Sequence, residues 1–171
     1  MDICIVYYSK TGKTRRVIEY FKEKISSAGY SVKVFFIRPA KEYFNKFLHL
    51  NPRILYEVFA GKVIDITGDE ELDLNNCSAL LIASPVWWGA ASPPIYSFIH
   101  KYSGSYKGPV YCITTADLRI DYASKLRKEL EKRKYRVVDC LSVVDPEKDI
   151  DKINKFIDRI ISDLTSKNRD H

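Results

Sequence analysis

The chain has 171 residues, 46% hydrophobic and 29% charged, the size and make-up of one soluble globular domain with a sizeable core. Its formal net charge of +6 favours anionic partners in general: nucleic acid, an anionic membrane or an acidic protein. The densest basic stretch, 125–136 (KLRKELEKRKYR), is interrupted by Glu129 and Glu131 at a spacing that suits a solvated helix face. No apolar run approaches the roughly 20 residues of a membrane helix. The short run at 3–8 passes directly into a polar loop, unlike a signal peptide, so a cytoplasmic location is expected.

Residues 2–8 (DICIVYY) predict a buried strand, ended by turn-forming polar residues. From 14 to 28 the pattern is helical, with Val17, Ile18, Phe21 and Ile25 on one face and Gly29 closing it. A second strand is predicted at 30–37 (YSVKVFFI). The segment 38–62 is less regular: 39–50 and 52–61 read as two short helices parted by Asn51-Pro52. It is rich in aromatic residues, among them Tyr43, Phe44, Phe47, Tyr56 and Phe59. Packing on the sheet, a lid over a ligand and a homodimer surface are three readings of it.

Further strands are predicted at 78–83 (SALLIA), 109–115 (PVYCITT) and 136–144 (RVVDCLSVV), the polar Asp139 marking the last as an edge strand or an irregular one. Helices lie between them at 92–102, with Ser92 as N-cap before two prolines, and at 122–133. A last amphipathic helix over 149–164 should bury Ile153, Phe156, Ile157, Ile160 and Ile161. This gives a single domain over 1–165 and a polar tail at 166–171.

Strands alternating with helices imply an α/β fold, a parallel sheet with a helix layer on each face. Five strands in so short a chain favour the flavodoxin-like order 2-1-3-4-5. In such sheets ligands bind at the carboxyl ends of the strands, which brings together the loops 9–14, 84–93 and 114–121. The four cysteines, Cys4, Cys77, Cys112 and Cys140, are widely scattered and read as small buried hydrophobes. His49, His100 and His171 are equally uncombined, so no metal site and no catalytic residue is assigned.

The loop after the first strand, SKTGKT, contains Gly-Lys-Thr, the end of a nucleoside-triphosphate P-loop. That pattern needs a glycine where Tyr7 stands, and an acidic residue after a neighbouring strand, where Ser84-Pro85 stand. The alternative spacing works. Ser9, Thr11 and Thr14 offer three hydroxyls around Gly12 where a strand hands over to a helix, and the helix N-terminus adds free N–H groups suited to a phosphate monoester. Arg15 and Arg16 are poorly placed at such a terminus unless an anion binds or they point to solvent.

On these residues the sequence resembles the flavodoxin-like FMN-binding family, whose phosphate loop reads S/T-x-T-G-x-T. The resemblance extends through SPVWWGAASPPIYSFI, residues 84–99. It implies FMN as cofactor, with Ser9, Lys10, Thr11, Gly12, Lys13 and Thr14 around its phosphate. Pro85, Val86, Trp87, Trp88 and Gly89 would flank the ring, one tryptophan stacking while the other packs below. Thr115, Ala116 and Asp117 would offer backbone groups to the pyrimidine edge, and Tyr122 a second aromatic face. Asp117 would oppose, and Arg119 favour, negative charge on a ring held there. That loop lacks the glycines common in the family, and the basic charge differs from acidic electron carriers.

The expected function is FMN-dependent electron transfer, with a redox partner protein or a small-molecule acceptor and with no nucleic acid or membrane target. An NAD(P)H-dependent quinone or flavin reductase is the alternative, and a ligand-binding module without redox chemistry a third reading.

Overall fold

In the computed structural model, which describes residues 2–43 and 51–169, the first apolar run forms strand β1 (Asp2–Tyr7) and leads to helix α1 (Lys13–Ser27). Strand β2 (Val32–Phe36) follows. The irregular segment supplies β3 (Arg38–Pro39), α2 (Pro52–Phe59) and β4 (Ile66–Thr67), with β3 and β4 paired antiparallel. The helix expected at 39–50, with Phe44, Phe47 and His49, lies largely outside the described residues. Next come β5 (Cys77–Trp87), β6 (Ala90–Ala91), α3 (Pro93–Lys101) and β7 (Pro109–Thr115). The chain ends with α4 (Ala123–Lys132), β8 (Arg136–Val143) and α5 (Ile150–Arg169).

Five strands pair in parallel in the order β2-β1-β5-β7-β8. With the two-residue strands set aside, this is the expected order 2-1-3-4-5. The sheet is covered on both faces, which is why its central strands read as continuous apolar runs. Ile3, Ile5 and Tyr7 meet Val17, Phe21, Ile153 and Phe156 from α1 and α5. Cys4, Val6 and Tyr8 join Ile95, Phe98 and Leu126 from α3 and α4. Among the described residues, no helix is long and apolar enough to cross a membrane.

Several expectations are corrected. Cys4, Cys77 and Cys112 are buried and Cys140 partly buried, and all four are paired: Cys4 with Cys77 across β1 and β5, and Cys112 with Cys140 across β7 and β8. Parallel neighbours lie far apart in sequence, by 73 and 28 residues here, so spacing gave no sign of the pairing. Ser92 precedes α3 without capping it through its side chain; its hydroxyl meets Ser84 Oγ at 3.1 Å. Ile161 is only partly buried. Helix α5 continues to Arg169 into the expected tail, because no Gly or Pro interrupts it and Thr165 and Ser166 turn their hydroxyls onto Ile161 and Asp163 carbonyls. Asp139 does mark an edge strand with an irregularity: the β7–β8 register slips at Val110/Tyr111, leaving Val138 unpaired.

Asp149 fixes the entry to α5. It is 3% exposed, and one carboxylate oxygen accepts the Val144 and Asp145 N–H groups at 2.8 and 3.2 Å. Burial opposes its ionisation, but these N–H groups and Lys152 outweigh it and hold the carboxyl below its ordinary range. The stabilisation is therefore fully present above the unfolded pKa near 4 and is lost as pH falls through the lower folded value. Asp149→Asn should cost about 1–3 kcal/mol at pH 7. Denaturant titrations at pH 7, 4 and 2.5 should show the gap between variant and parent closing in acid; a gap independent of pH would refute the charge.

Candidate functional site

The loop between β1 and α1 takes its shape from Gly12, which sits at φ 89°, ψ −12°, directly before the helix. An added Cβ would meet no atom within 4 Å, so the glycine is required by its left-handed backbone and not by crowding. The first N–H groups of α1 have no intrahelical acceptor and point out of its N-terminus. Ser9 is buried, and its Oγ accepts the Arg15 N–H at 3.2 Å, closing the loop onto the helix. Thr14 Oγ1 meets Thr115 Oγ1 at 2.8 Å, tying this loop to the end of β7. The Thr11 side of the loop is exposed, as are Arg15 and Arg16, with Arg15 lying over the Phe36 ring at 5.1 Å.

The second wall is a hairpin and not the plain loop expected. Strand β5 continues through Ser84, Pro85, Val86 and Trp87, and turns back so that Val86 pairs with Ala91 and Trp87 with Ala90. The two turn residues, Trp88 and Gly89, have φ of 52° and 79°. That is the two-residue turn whose twist matches antiparallel strands, and it normally excludes a bulky first residue. A tryptophan held there is a local strain of the kind that gathers at functional sites. The turn separates the tryptophans. Trp87 packs edge-on against Tyr8 and Tyr43 at 5.6 and 5.4 Å. Trp88 is 46% exposed, with Phe59 6.2 Å away.

The third wall is the loop after β7. Lys13 Nζ reaches across to Asp117 Oδ1 at 2.5 Å and the Ala116 carbonyl at 3.0 Å, so the Asp117 charge is met by a cation from the first loop. Arg119 lies outward, 3.9 Å from Asp149. The Asp121 carboxylate is drawn below its usual range by the Ser124 hydroxyl and N–H and is spent on starting α4.

Thr11, Lys13, Thr14, Pro85, Val86, Trp87, Trp88, Thr115, Ala116 and Asp117 line one cavity of about 80 Å³. Ser9 and Gly12 do not line it; they shape the loop that carries Thr11, Lys13 and Thr14. The Lys10 ammonium goes instead to Glu42, 3.0 Å, and the Tyr43 carbonyl, 2.9 Å. Gly89 and Tyr122 are not in this cavity: the tight turn carries Gly89 toward α4, where its carbonyl accepts from Lys125 Nζ at 3.4 Å. Both residues line a neighbouring cavity of about 220 Å³ that shares only Val86 with the first.

Sequence reasoning missed Ile54, which joins the cavity from α2. It is the one buried apolar residue of that short helix, and the sequence PRILYEVF does not single it out from Leu55 or Val58. Helix α2 is anchored by Glu57, only 4% exposed, which accepts from Tyr43 Oη at 2.5 Å and Arg53 Nε at 2.7 Å. Burial, reinforced by Glu57, raises the Tyr43 phenol far above its ordinary pKa; burial and nearby Glu42 do the same for Tyr8. Both therefore stay protonated supports for Trp87.

The arrangement thus offers one end rich in donors, where Asp117, paired with Lys13, is the acidic group among the described lining residues, and a flat apolar face beside it. No family model matches the sequence, and neither does any curated protein. Solved structures do match its fold. A flavoprotein from Lactobacillus acidophilus NCFM, in complex with FMN, superposes with TM-score 0.71 at 22% identity, over 90% of this chain and 98% of that one. A structure from Bacteroides eggerthii DSM 20697 gives 0.68 at 20% identity, over 94% and 98%. A flavodoxin from the domain Archaea gives 0.65 at 12% identity, over 96% and 99%. The fold is flavodoxin-like.

Proposed function

We propose that this protein binds FMN and works as an electron carrier. The observation that carries the reading is the convergence of a glycine-shaped helix N-terminus, an aromatic hairpin and a backbone-rich loop on one cavity. A phosphate dianion fits the first element, where the α1 N–H groups and the Thr11 hydroxyl supply donors, while the Lys13 ammonium is engaged by Asp117. A flat tricyclic ring fits the second, against Pro85–Trp88 with Ile54 opposite. Thr115–Asp117 offer polar backbone to the ring's hydrogen-bonding edge. FMN, when bound, would supply one- and two-electron chemistry that no side chain has; the protein's part is to hold it, exclude water from one face and set its electrostatics.

The carrier reading is favoured over an enzyme by what surrounds the cavity. Asp117 is paired with Lys13 and Asp121 with Ser124, so no described carboxylic acid stands ready to hand a proton to a substrate over the ring. The reductase alternative draws on a polar cavity of about 280 Å³ beside α2, where Lys41, Arg53 and Lys62 stand together with Glu57 and Asp65, a mixed lining that offers an anionic dinucleotide only a small excess of positive charge. FMN-loaded protein mixed anaerobically with NADH or NADPH separates the two. The carrier should show no bleaching in seconds; reduction at about 1 s⁻¹ or faster with onward transfer to a quinone would establish the reductase. The two disulfides bear on location: a cytoplasmic carrier fits them only in a cell whose interior preserves disulfides, as in hyperthermophiles.

The tryptophans should respond differently to truncation. Trp88→Ala should weaken FMN binding by about 1 kcal/mol and leave unfolding within about 0.5 kcal/mol of the parent. Trp87→Ala should instead cost about 3 kcal/mol of stability, as a packed aromatic lost from between Tyr8 and Tyr43. Flavin titration and denaturant melts measure both. Equal affinity in Trp88→Ala would assign that side chain no part in binding.

A further inference from the structure

The exposed large apolar side chains among the described residues are unevenly placed. Apart from Val138 on the edge strand β8, they are Tyr56, Phe59 and Val63 on and just beyond α2, Trp88 on the hairpin turn, and Leu118 and Ile120 after β7. Trp88 and Asp117, the neighbour of Leu118, line the same cavity, and Phe59 lies beside Trp88. Trp88, Phe59 and Leu118 therefore stand at or next to the mouth of the proposed FMN site, with Tyr56, Val63 and Ile120 close to them in sequence. Phe59 at 70% and Leu118 at 61% exposure are far from what solubility alone favours, and clustered exposure of this kind marks a contact surface.

Charges of both signs stand around these residues. The Lys62 ammonium lies over the Tyr56 ring at 5.4 Å and that of Lys125 over the Tyr122 ring at 5.3 Å. Arg119 stands between Leu118 and Ile120 with its side chain 65% exposed, 3.9 Å from the buried Asp149 carboxylate. The acids nearby are compensated: Asp117 by Lys13, Glu57 by Arg53, Asp121 by the start of α4. Behind the rim stands the whole chain's charge of +6. A second copy of this chain would present the same cations and be repelled.

We propose that this rim is the docking surface for an acidic protein, the redox partner of the bound FMN. The apolar centre supplies contact area and the cations supply orientation and a fast encounter, a division of labour common at transient interfaces. The inference rests on the FMN reading for the partner's redox role, while the surface itself is independent of it.

The test uses the FMN-loaded chain with two redox-protein probes of opposite charge, an acidic [2Fe–2S] ferredoxin and a basic c-type cytochrome. Binding is followed by amide chemical-shift perturbation and calorimetry in 20 mM and 300 mM salt. The ferredoxin should bind at least tenfold more tightly than the cytochrome at low salt, weaken at least tenfold at high salt, and shift residues 56–63, 88 and 118–120. Lys62→Glu/Arg119→Glu should reduce its affinity at least tenfold with FMN affinity unchanged, and Phe59→Ser should weaken it at both salts. Equal binding of the two probes, or no effect of the charge reversal, overturns the proposal. So does self-association that Phe59→Ser abolishes, or attachment to phosphatidylserine vesicles through these residues without preference between the proteins. If the chain takes up no FMN yet docks the ferredoxin as described, the surface stands and the FMN reading fails.

Discussion

Glu57→Ala should lower the unfolding free energy by about 3 kcal/mol. Glu57 is the hub of a buried group: its carboxylate holds Arg53 Nε one helical turn earlier and Tyr43 Oη fourteen residues earlier. Removing one member of a buried ion pair costs about 3–5 kcal/mol, because the partner remains desolvated without its counter-charge. Water still reaches the Arg53 side chain, one-third exposed, so the lower end applies. Glu57→Gln keeps an acceptor for Tyr43 and should lose less. The damage should also reach the site, since Tyr43 braces Trp87 and α2 carries Ile54 into the cavity. Chemical denaturation checks the first effect and tryptophan emission the second. A loss below about 1 kcal/mol, the range of surface pairs, would mean that α2 is not anchored this way.

Breaking the disulfides should have the second large effect. In the chain-entropy description, cross-links closing loops of 73 and 28 residues stabilise by about 4.5 and about 3.5 kcal/mol. The loops do not overlap in sequence, so the two effects should be nearly additive. Cys4→Ala/Cys77→Ala should therefore lower Tm by about 10–15 °C in a chain of this length, and Cys112→Ala/Cys140→Ala by somewhat less. Thiol titration in denaturant without reductant should find no free thiol in the parent. Four titratable thiols there, or Tm unchanged in both variants, would contradict the pairing.

How much of this was legible in the sequence varies with the range of the interaction. The strand runs and the helix stripe Val17, Ile18, Phe21, Ile25 are local patterns, and the structure places each as expected. The turn at Ser9–Thr14 was legible because one strand-to-helix junction sets the backbone at Gly12. The hairpin was not: Pro85 and the two tryptophans suggested a loop, and only the return pairing with Ala90 and Ala91 makes strand of them. Gly89, expected from the family pattern, and Tyr122, expected as a second aromatic face, line the neighbouring cavity instead; for Gly89 the two-residue turn decides where it faces. The disulfides and the Glu57 hub join residues whose partners are set by sheet order or by a loop's return, neither of which a periodicity reports.

The central claim is that the loop at Ser9–Thr14 spends its donors on a phosphate. Titrating the purified protein with FMN and, separately, with riboflavin, following flavin fluorescence, measures this most directly, because the two ligands share the ring and differ in the phosphate. FMN should bind at least a hundredfold more tightly, the equivalent of two charge-assisted hydrogen bonds at about 1.5 kcal/mol each. Gly12→Val should remove most of that difference, since a β-branched residue resists the φ of 89° found there. Equal affinities for FMN and riboflavin, or no binding of either, would contradict the account.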